Sequence, residues 1–266
     1  MDNRPIGVYD SGIGGLTGLK ALRRLLPQED FVFFADSGRM PYGPRPQQEL
    51  CRIARQDMDF LAAFGVKAIL AACGTISSAA HTVLEAYPIP AFGVVTPGIE
   101  AMARVPGDSP LGIIATEASI KSGQFTDALR ALCPGREVIG LACPEFAPMI
   151  ESGHISPDDP VVFESVRRSL APLRGSGIET ALLACTHYGI IGEAIQRELG
   201  AVRLLSASEC AAEAVRDYLV QNGLTGEGSG SMRFFVSGDT DAFARFAGSY
   251  LEAGPVHAEQ APIMEL

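Results

Sequence analysis

The sequence predicts an α/β protein of two similar doubly wound modules with mainly parallel sheets, the active site lying in the cleft between them. Three observations predict it. Short apolar runs alternate with stretches of helical periodicity along most of the 266 residues. Those runs end on polar or sulfur residues that lead into a loop and a helix, as the strands of a parallel sheet do. The same order of elements also occurs twice, with Cys73 and Cys185 at matching strand ends.

Ile6 to Tyr9 reads as a strand ending at Asp10, followed by the glycine-rich turn Ser11-Gly12-Ile13-Gly14-Gly15. Leu16, Leu19, Leu22, Leu25 and Leu26 then recur at helical spacing. Phe31 to Ala35 is the next strand, ending at Asp36, and the loop through Pro41-Tyr42-Gly43 follows it. Leu50, Ile53, Ala54, Met58, Leu61 and Phe64 mark a long helix, and the run from Ala68 to Ala72 is a buried strand closing on Cys73. Thr96-Pro97-Gly98 reads as a break at which the chain crosses to a second module. There Leu111 to Ala115 is a strand ending at Thr116, with Ser119 and a helix after it. Val138 to Ala142 is a strand ending near Cys143, Val161 to Leu173 a helix, and Ala181 to Ala184 a strand closing on Cys185. From Glu209 to Leu251 the pattern is helix, strand (Phe234 to Val236), helix, which returns to complete the first module. Gly223 to Ser231 reads as a flexible surface loop. The expected domains are residues 1–97 plus 207–266, and residues 98–206.

Composition narrows the function. With 47% hydrophobic residues the chain can bury real cores. A net charge of −10 excludes the basic face that nucleic-acid binding needs. No apolar run reaches membrane-spanning length, and no signal peptide precedes the first strand. The six cysteines lack framework spacing, which points to reduced thiols in the cytoplasm.

The paired thiols carry the chemistry. A free thiol has a pKa near ~8.5, so a modest change of environment makes it an acid or a base near neutrality. Taking a proton from an amino-acid α-carbon and returning one to the other face needs two such groups on opposite sides. Cys73 and Cys185 have that placement, whereas Cys51, Cys133 and Cys210 read as small buried hydrophobes. Cys143, near a strand end, reads either way. His187, two residues after Cys185, can poise that thiol or shuttle its proton, while His81, His154 and His257 have no such partner. Asp10 can cap a helix and serve the site at once. Ser11, Thr75, Thr116 and Thr186 stand at strand-to-helix junctions, where hydroxyls and free N–H groups suit a small anionic substrate.

Other chemistries fit less well. Cys185-Thr186-His187 alone is too little for a metal. A pyridoxal enzyme needs a pocket lysine, and none of Lys20, Lys67 and Lys121 ends a strand. Gly-x-Ser-x-Gly is absent. Gly12-Ile13-Gly14 with Asp36 approaches the dinucleotide fingerprint, but Thr17 replaces its third glycine.

Taken together, several motifs resemble the cofactor-independent glutamate racemases of the aspartate/glutamate racemase group. They are Asp10-Ser11-Gly12-Ile13-Gly14-Gly15-Leu16, Pro41-Tyr42-Gly43, Cys73 to Ser77, Cys143-Pro144, Glu151-Ser152-Gly153, Cys185-Thr186-His187-Tyr188 and Ser237-Gly238-Asp239. The resemblance covers nearly the whole chain. It implies that Cys73 takes the α-proton from D-glutamate and Cys185 from L-glutamate, with Asp10 assisting the first and His187 and Glu151 the second. It implies that Ser11, Pro41, Tyr42, Gly43, Gly74, Thr75, Thr116 and Thr186 line the substrate, with no cofactor and no metal. It further implies that D-glutamate feeds peptidoglycan synthesis, that the protein is a homodimer and that DNA gyrase is a possible partner. Two positions depart from the family pattern: Gly74 where asparagine is usual, and Gly189 where proline is usual. The first leaves open a racemase acting on another amino acid such as aspartate. A racemase-like binding protein is the alternative of a different class.

Overall fold

A computed structural model describes residues 1–263. The strands are β1 (Ile6–Asp10), β2 (Phe31–Ala35), β3 (Ala68–Ala71), β4 (Ala91–Gly93), β5 (Leu111–Ala115), β6 (Val138–Ala142), β7 (Thr180–Leu183), β8 (Arg203–Ser206), β9 (Met232–Val236) and β10 (Ala258–Gln260). They form two all-parallel sheets, ordered β10-β9-β2-β1-β3-β4 and β6-β5-β7-β8. Helices join successive strands, as parallel pairing requires. β1, β2, β3, β5 and β7 are buried along their whole length, which explains why they read as unbroken apolar runs rather than alternating ones.

The order β2-β1-β3-β4 has its counterpart in β6-β5-β7-β8, so the repeated sequence pattern corresponds to a repeated topology. The late strand β9 joins the first sheet beside β2, with Phe33 opposite Phe234. Phe33, Phe234 and Phe243 meet on one face of that sheet, while Phe34, Phe60, Phe64 and Phe235 meet on the other. The split follows from the alternation of neighbouring side chains along a strand. A continuous apolar core runs from Val8, Leu19 and Leu70 through Ala211 and Val215 to Ile113 and Leu182, linking the sheets. A separate core, with Tyr9, Phe34, Ile53, Met58 and Leu61, lies under the helix Gln47–Ala62 on the far face of the first sheet.

Three details differ from the sequence expectation. Thr96-Pro97-Gly98 is no irregular break but lies in the first turns of the helix Val95–Ala103, which carries the chain from β4 to β5. Pro97 is tolerated there because the first turn of a helix has no N–H partners to lose. The helix expected over Val161 to Leu173 runs from Pro160 to Ser169 and is followed by a short 3-10 turn, Ala171–Leu173. The segment read as a flexible loop is pinned. Asp30 Oδ1 accepts from the backbone N–H and hydroxyl of both Ser229 and Ser231. Glu29 accepts from Gly226 N–H at 2.7 Å and from the buried Lys67 ammonium at 2.6 Å. Among the described residues no helix is long and apolar enough to cross a membrane.

Candidate active site

Parallel strands expose their carboxyl ends together, and here the carboxyl ends of β1, β3, β5 and β7 open onto one cavity of about 640 Å³. Cys73 and Cys185 both line it, one from each sheet. Ser11, Pro41, Tyr42, Gly43, Gly74, Thr75, Thr116, Glu151, Thr186 and His187 line it too. Asp10 stands behind this wall and is fully buried. Rather than capping a helix directly, its Oδ1 accepts from the Ser11 hydroxyl at 3.0 Å and from Gly12 N–H at 3.2 Å, bracing the turn ahead of one.

The two thiols have unlike surroundings. Cys73 precedes the short helix Gly74–Ala79 and is 6% exposed, its sulfur 4.0 Å from the Ser11 hydroxyl. Burial pushes the Cys73 thiol far up, and the Asp10 carboxyl adds to the rise. Burial raises Asp10 as well, against the opposing pull of His187. Cys185 precedes the 3-10 turn Thr186–Gly189, and its sulfur lies 3.9 Å from His187 Nδ1. The other ring nitrogen, Nε2, bonds Glu151 Oε1 at 2.6 Å. Burial works against a charged imidazole, but the Cys185 sulfur, Glu151 and Asp10 outweigh it and hold His187 well above the usual histidine range. A charged His187 donates from both nitrogens, to the Glu151 carboxylate on one side and toward the Cys185 sulfur on the other.

Tyr42 meets the cavity, but its hydroxyl is committed elsewhere. It donates to Asp36 and to Asp57, which Arg39 bridges at 2.6 Å to each. Asp36 also accepts from Ser237 at 2.9 Å. This buried network occupies the carboxylate that a dinucleotide reading assigns to a ribose, so Asp36 does not fit that role. Tyr42 belongs to the cavity wall, and the network beneath fixes its loop.

Cys143 is fully buried and is not part of the cavity wall; burial pushes its thiol up to about 12. Its carbonyl accepts from the Tyr188 hydroxyl at 2.7 Å, holding the turn after Cys185. The turn is held on the Gly189 side as well. Ile190 N–H donates to His187 O at 2.9 Å, and a Cβ on Gly189 would lie 3.2 Å from Thr17. His154 pairs with Asp159 at 2.7 Å, away from the cavity.

Sequence reasoning missed Lys121, which lines the cavity without ending a strand. It sits on the helix Glu117–Lys121 after Thr116, so its distance from a strand end gave the wrong signal. Its side chain is 72% exposed and paired with Glu117 at 2.6 Å. A solvent-exposed lysine paired with a carboxylate lacks the apolar, desolvated surroundings that activate a lysine nucleophile, and its place suits it to meeting an anion. Pro144, from the Cys143-Pro144 motif, adds apolar wall, as do Met40, Ala147 and Pro148, which no local pattern marks.

The chain is similar to known proteins in sequence and in fold. A sequence model of the Asp/Glu/hydantoin racemase family matches residues 21–215. Glutamate racemase of Thermoanaerobacter pseudethanolicus is 36% identical over 249 residues, 93% of each chain. Among solved structures, glutamate racemase isoform RacE1 from Bacillus anthracis superposes with a TM-score of 0.91 at 32% identity, covering 99% of both chains. Glutamate racemase from Francisella tularensis, solved with D-glutamate, superposes with a TM-score of 0.87 at 34% identity, again over 99% of both.

Proposed function

The chain belongs to the Asp/Glu/hydantoin racemase family, and on that premise we propose that it interconverts L- and D-glutamate by a two-base mechanism. The observation that carries this reading is the presence of Cys73 and Cys185, from equivalent strand ends of the two sheets, in the walls of one cavity. Substrate lies between them. From L-glutamate, the Cys185 thiolate takes the α-proton and the Cys73 thiol delivers one to the opposite face. From D-glutamate the two exchange roles.

The unlike surroundings support this division. Charged His187 faces the Cys185 sulfur at 3.9 Å, while burial beside Asp10 favours the protonated form of Cys73. Glu151 holds His187 in orientation, and Asp10 assists the Cys73 side. Ser11, Thr75, Thr116 and Thr186 supply hydroxyls for the substrate's carboxylates, with Pro41, Tyr42, Gly43 and Gly74 completing the wall. On the same reading the D-glutamate feeds peptidoglycan synthesis in the cytoplasm and the protein acts as a homodimer. Two thiols in one cavity favour an enzyme over a binding protein, since binding alone requires neither.

The test is incubation of purified protein in deuterium oxide with each enantiomer and no added pyridoxal. Inversion with incorporation of deuterium at the α-carbon is expected, and Cys73→Ala and Cys185→Ala should each abolish racemisation. No exchange with either enantiomer of glutamate overturns the reading, and exchange with aspartate alone reassigns the substrate.

A further inference from the structure

The pair that serves Cys185 is completed by the other half of the molecule. Ile13, in the glycine-rich turn after β1, donates its N–H to Glu151 Oε1 at 3.2 Å. The same oxygen bonds His187 Nε2 at 2.6 Å. Residues 13 and 151 lie 138 apart in sequence, and the bond joins elements of different sheets. It is well shielded, since the side chains of His187 and Glu151 are 7% and 19% exposed.

The turn comes this close because two of its residues lack side chains. A Cβ on Gly12 would stand 2.3 Å from Glu151 Oε1. A Cβ on Gly14 would stand 2.5 Å from Thr186 Oγ1 and 2.6 Å from His187 Nδ1. Gly12 has φ −168°, an extended angle open to any residue, so its demand for glycine is one of space. The same glycines that resemble a phosphate-binding fingerprint here make room for an imidazole and a carboxylate.

We propose that Gly12, Ile13 and Gly14 are positioning residues for the acid/base group at Cys185, acting across the cleft through Glu151 and His187. The inference rests on the two-base reading above. The Ile13 N–H and His187 share one carboxylate oxygen, so the amide fixes where that oxygen sits and thereby where Nδ1 points. His187 Nδ1 is the atom that faces the Cys185 sulfur. Separation of the halves by an ångström breaks the Ile13 bond, which ties the readiness of Cys185 to closure of the cleft.

The test uses Gly12→Ala with α-deuterated L- and D-glutamate. A displaced Glu151 slows proton transfer at Cys185, with an expected loss of about tenfold to a hundredfold in kcat/KM. The loss is equal in both directions, because the overall equilibrium is unchanged. The isotope effects split: that on L-glutamate, which Cys185 deprotonates, rises, and that on D-glutamate falls toward unity. A variant that merely folds less well loses rate without moving either isotope effect. In a Glu151→Ala background the new methyl occupies the space of the lost carboxylate, so Gly12→Ala costs less than about twofold there. Equal losses in both backgrounds, or unmoved isotope effects, overturn the proposal. If Gly12→Ala folds poorly, an ester replacing the Ile13 amide deletes only the N–H and is judged by the same isotope effects. Failure of the two-base reading itself is visible earlier, as absence of exchange in the wild-type protein.

Discussion

Replacing Gly74 by alanine puts a methyl carbon 2.9 Å from the carbonyl oxygen of Ala184. Gly74 follows Cys73 and Ala184 precedes Cys185, so the added atom acts on the separation of the two thiol-bearing loops. The obstacle is backbone, which cannot rotate away as a long side chain can. Ordinary contact begins at 3.4 Å, so the loops must part by about half an ångström. A misplacement of about 1 Å at reacting groups costs roughly a hundredfold, and half of it predicts a loss of about tenfold in kcat/KM. Overpacking also predicts a cost of about 1–3 kcal/mol in stability. Gly74→Asn carries the same Cβ but adds the amide usual in the family pattern. If that amide bonds the substrate, its contribution of about 1 kcal/mol makes the asparagine variant roughly fivefold more active than the alanine variant. The assay is the change in optical rotation of L-glutamate across substrate concentration, beside urea unfolding of each variant. A Gly74→Ala protein with kcat/KM within about twofold of wild type and an unchanged urea midpoint refutes the claim that these loops bear on each other.

Three further outcomes follow from the geometry. Tyr42→Phe keeps the ring but removes the donor to Asp36 and Asp57; two buried carboxylates losing that donor should cost about 1–3 kcal/mol in urea unfolding, and an unchanged midpoint counts against it. His187 is held above its ordinary pKa by Cys185 and Glu151 against the effect of burial. Its stabilising charge is therefore fully present below about pH 6.5 and lost as pH rises through the raised value. Glu151→Gln should move the imidazole titration seen by NMR to lower pH, and an unmoved titration contradicts the arrangement. Hydrogen bonds from Ser231 and Ser229 hold the Asp30 carboxyl below its usual range, so its contribution is present above the unfolded carboxylate value and lost as pH falls through the lowered one. Asp30→Ala should expose the segment 223–231 to proteolysis at neutral pH; equal cleavage of variant and wild type shows that the pinning does not matter.

Much of the fold was legible because its signals are local. Strands buried on both faces, such as Phe31–Ala35 and Leu111–Ala115, are continuous apolar runs. The strands the sequence did not reveal, Ala91–Gly93, Arg203–Ser206 and Ala258–Gln260, are three or four residues long and only partly buried. Each is an edge strand, with too few residues for a period to show. The Pro-Gly pair at 97–98 misled because a helix start tolerates proline as readily as a break does.

The sequence by itself determined the two-module α/β architecture and set a thiol at the end of a strand in each half, because strand runs and their ends are written in consecutive residues. Tertiary structure alone decided what each thiol faces. The docking of the halves brings Ile13 to Glu151 and Gly74 to Ala184, while packing within the second half brings Glu151 to His187 beside Cys185. Hydrogen bonds at 2.6–3.2 Å between residues far apart in sequence depend on how packed elements meet, and no local periodicity encodes that. Packing within the first half committed Asp36 and Tyr42 to a buried network, and the helix Glu117–Lys121 carries Lys121 to the cavity wall.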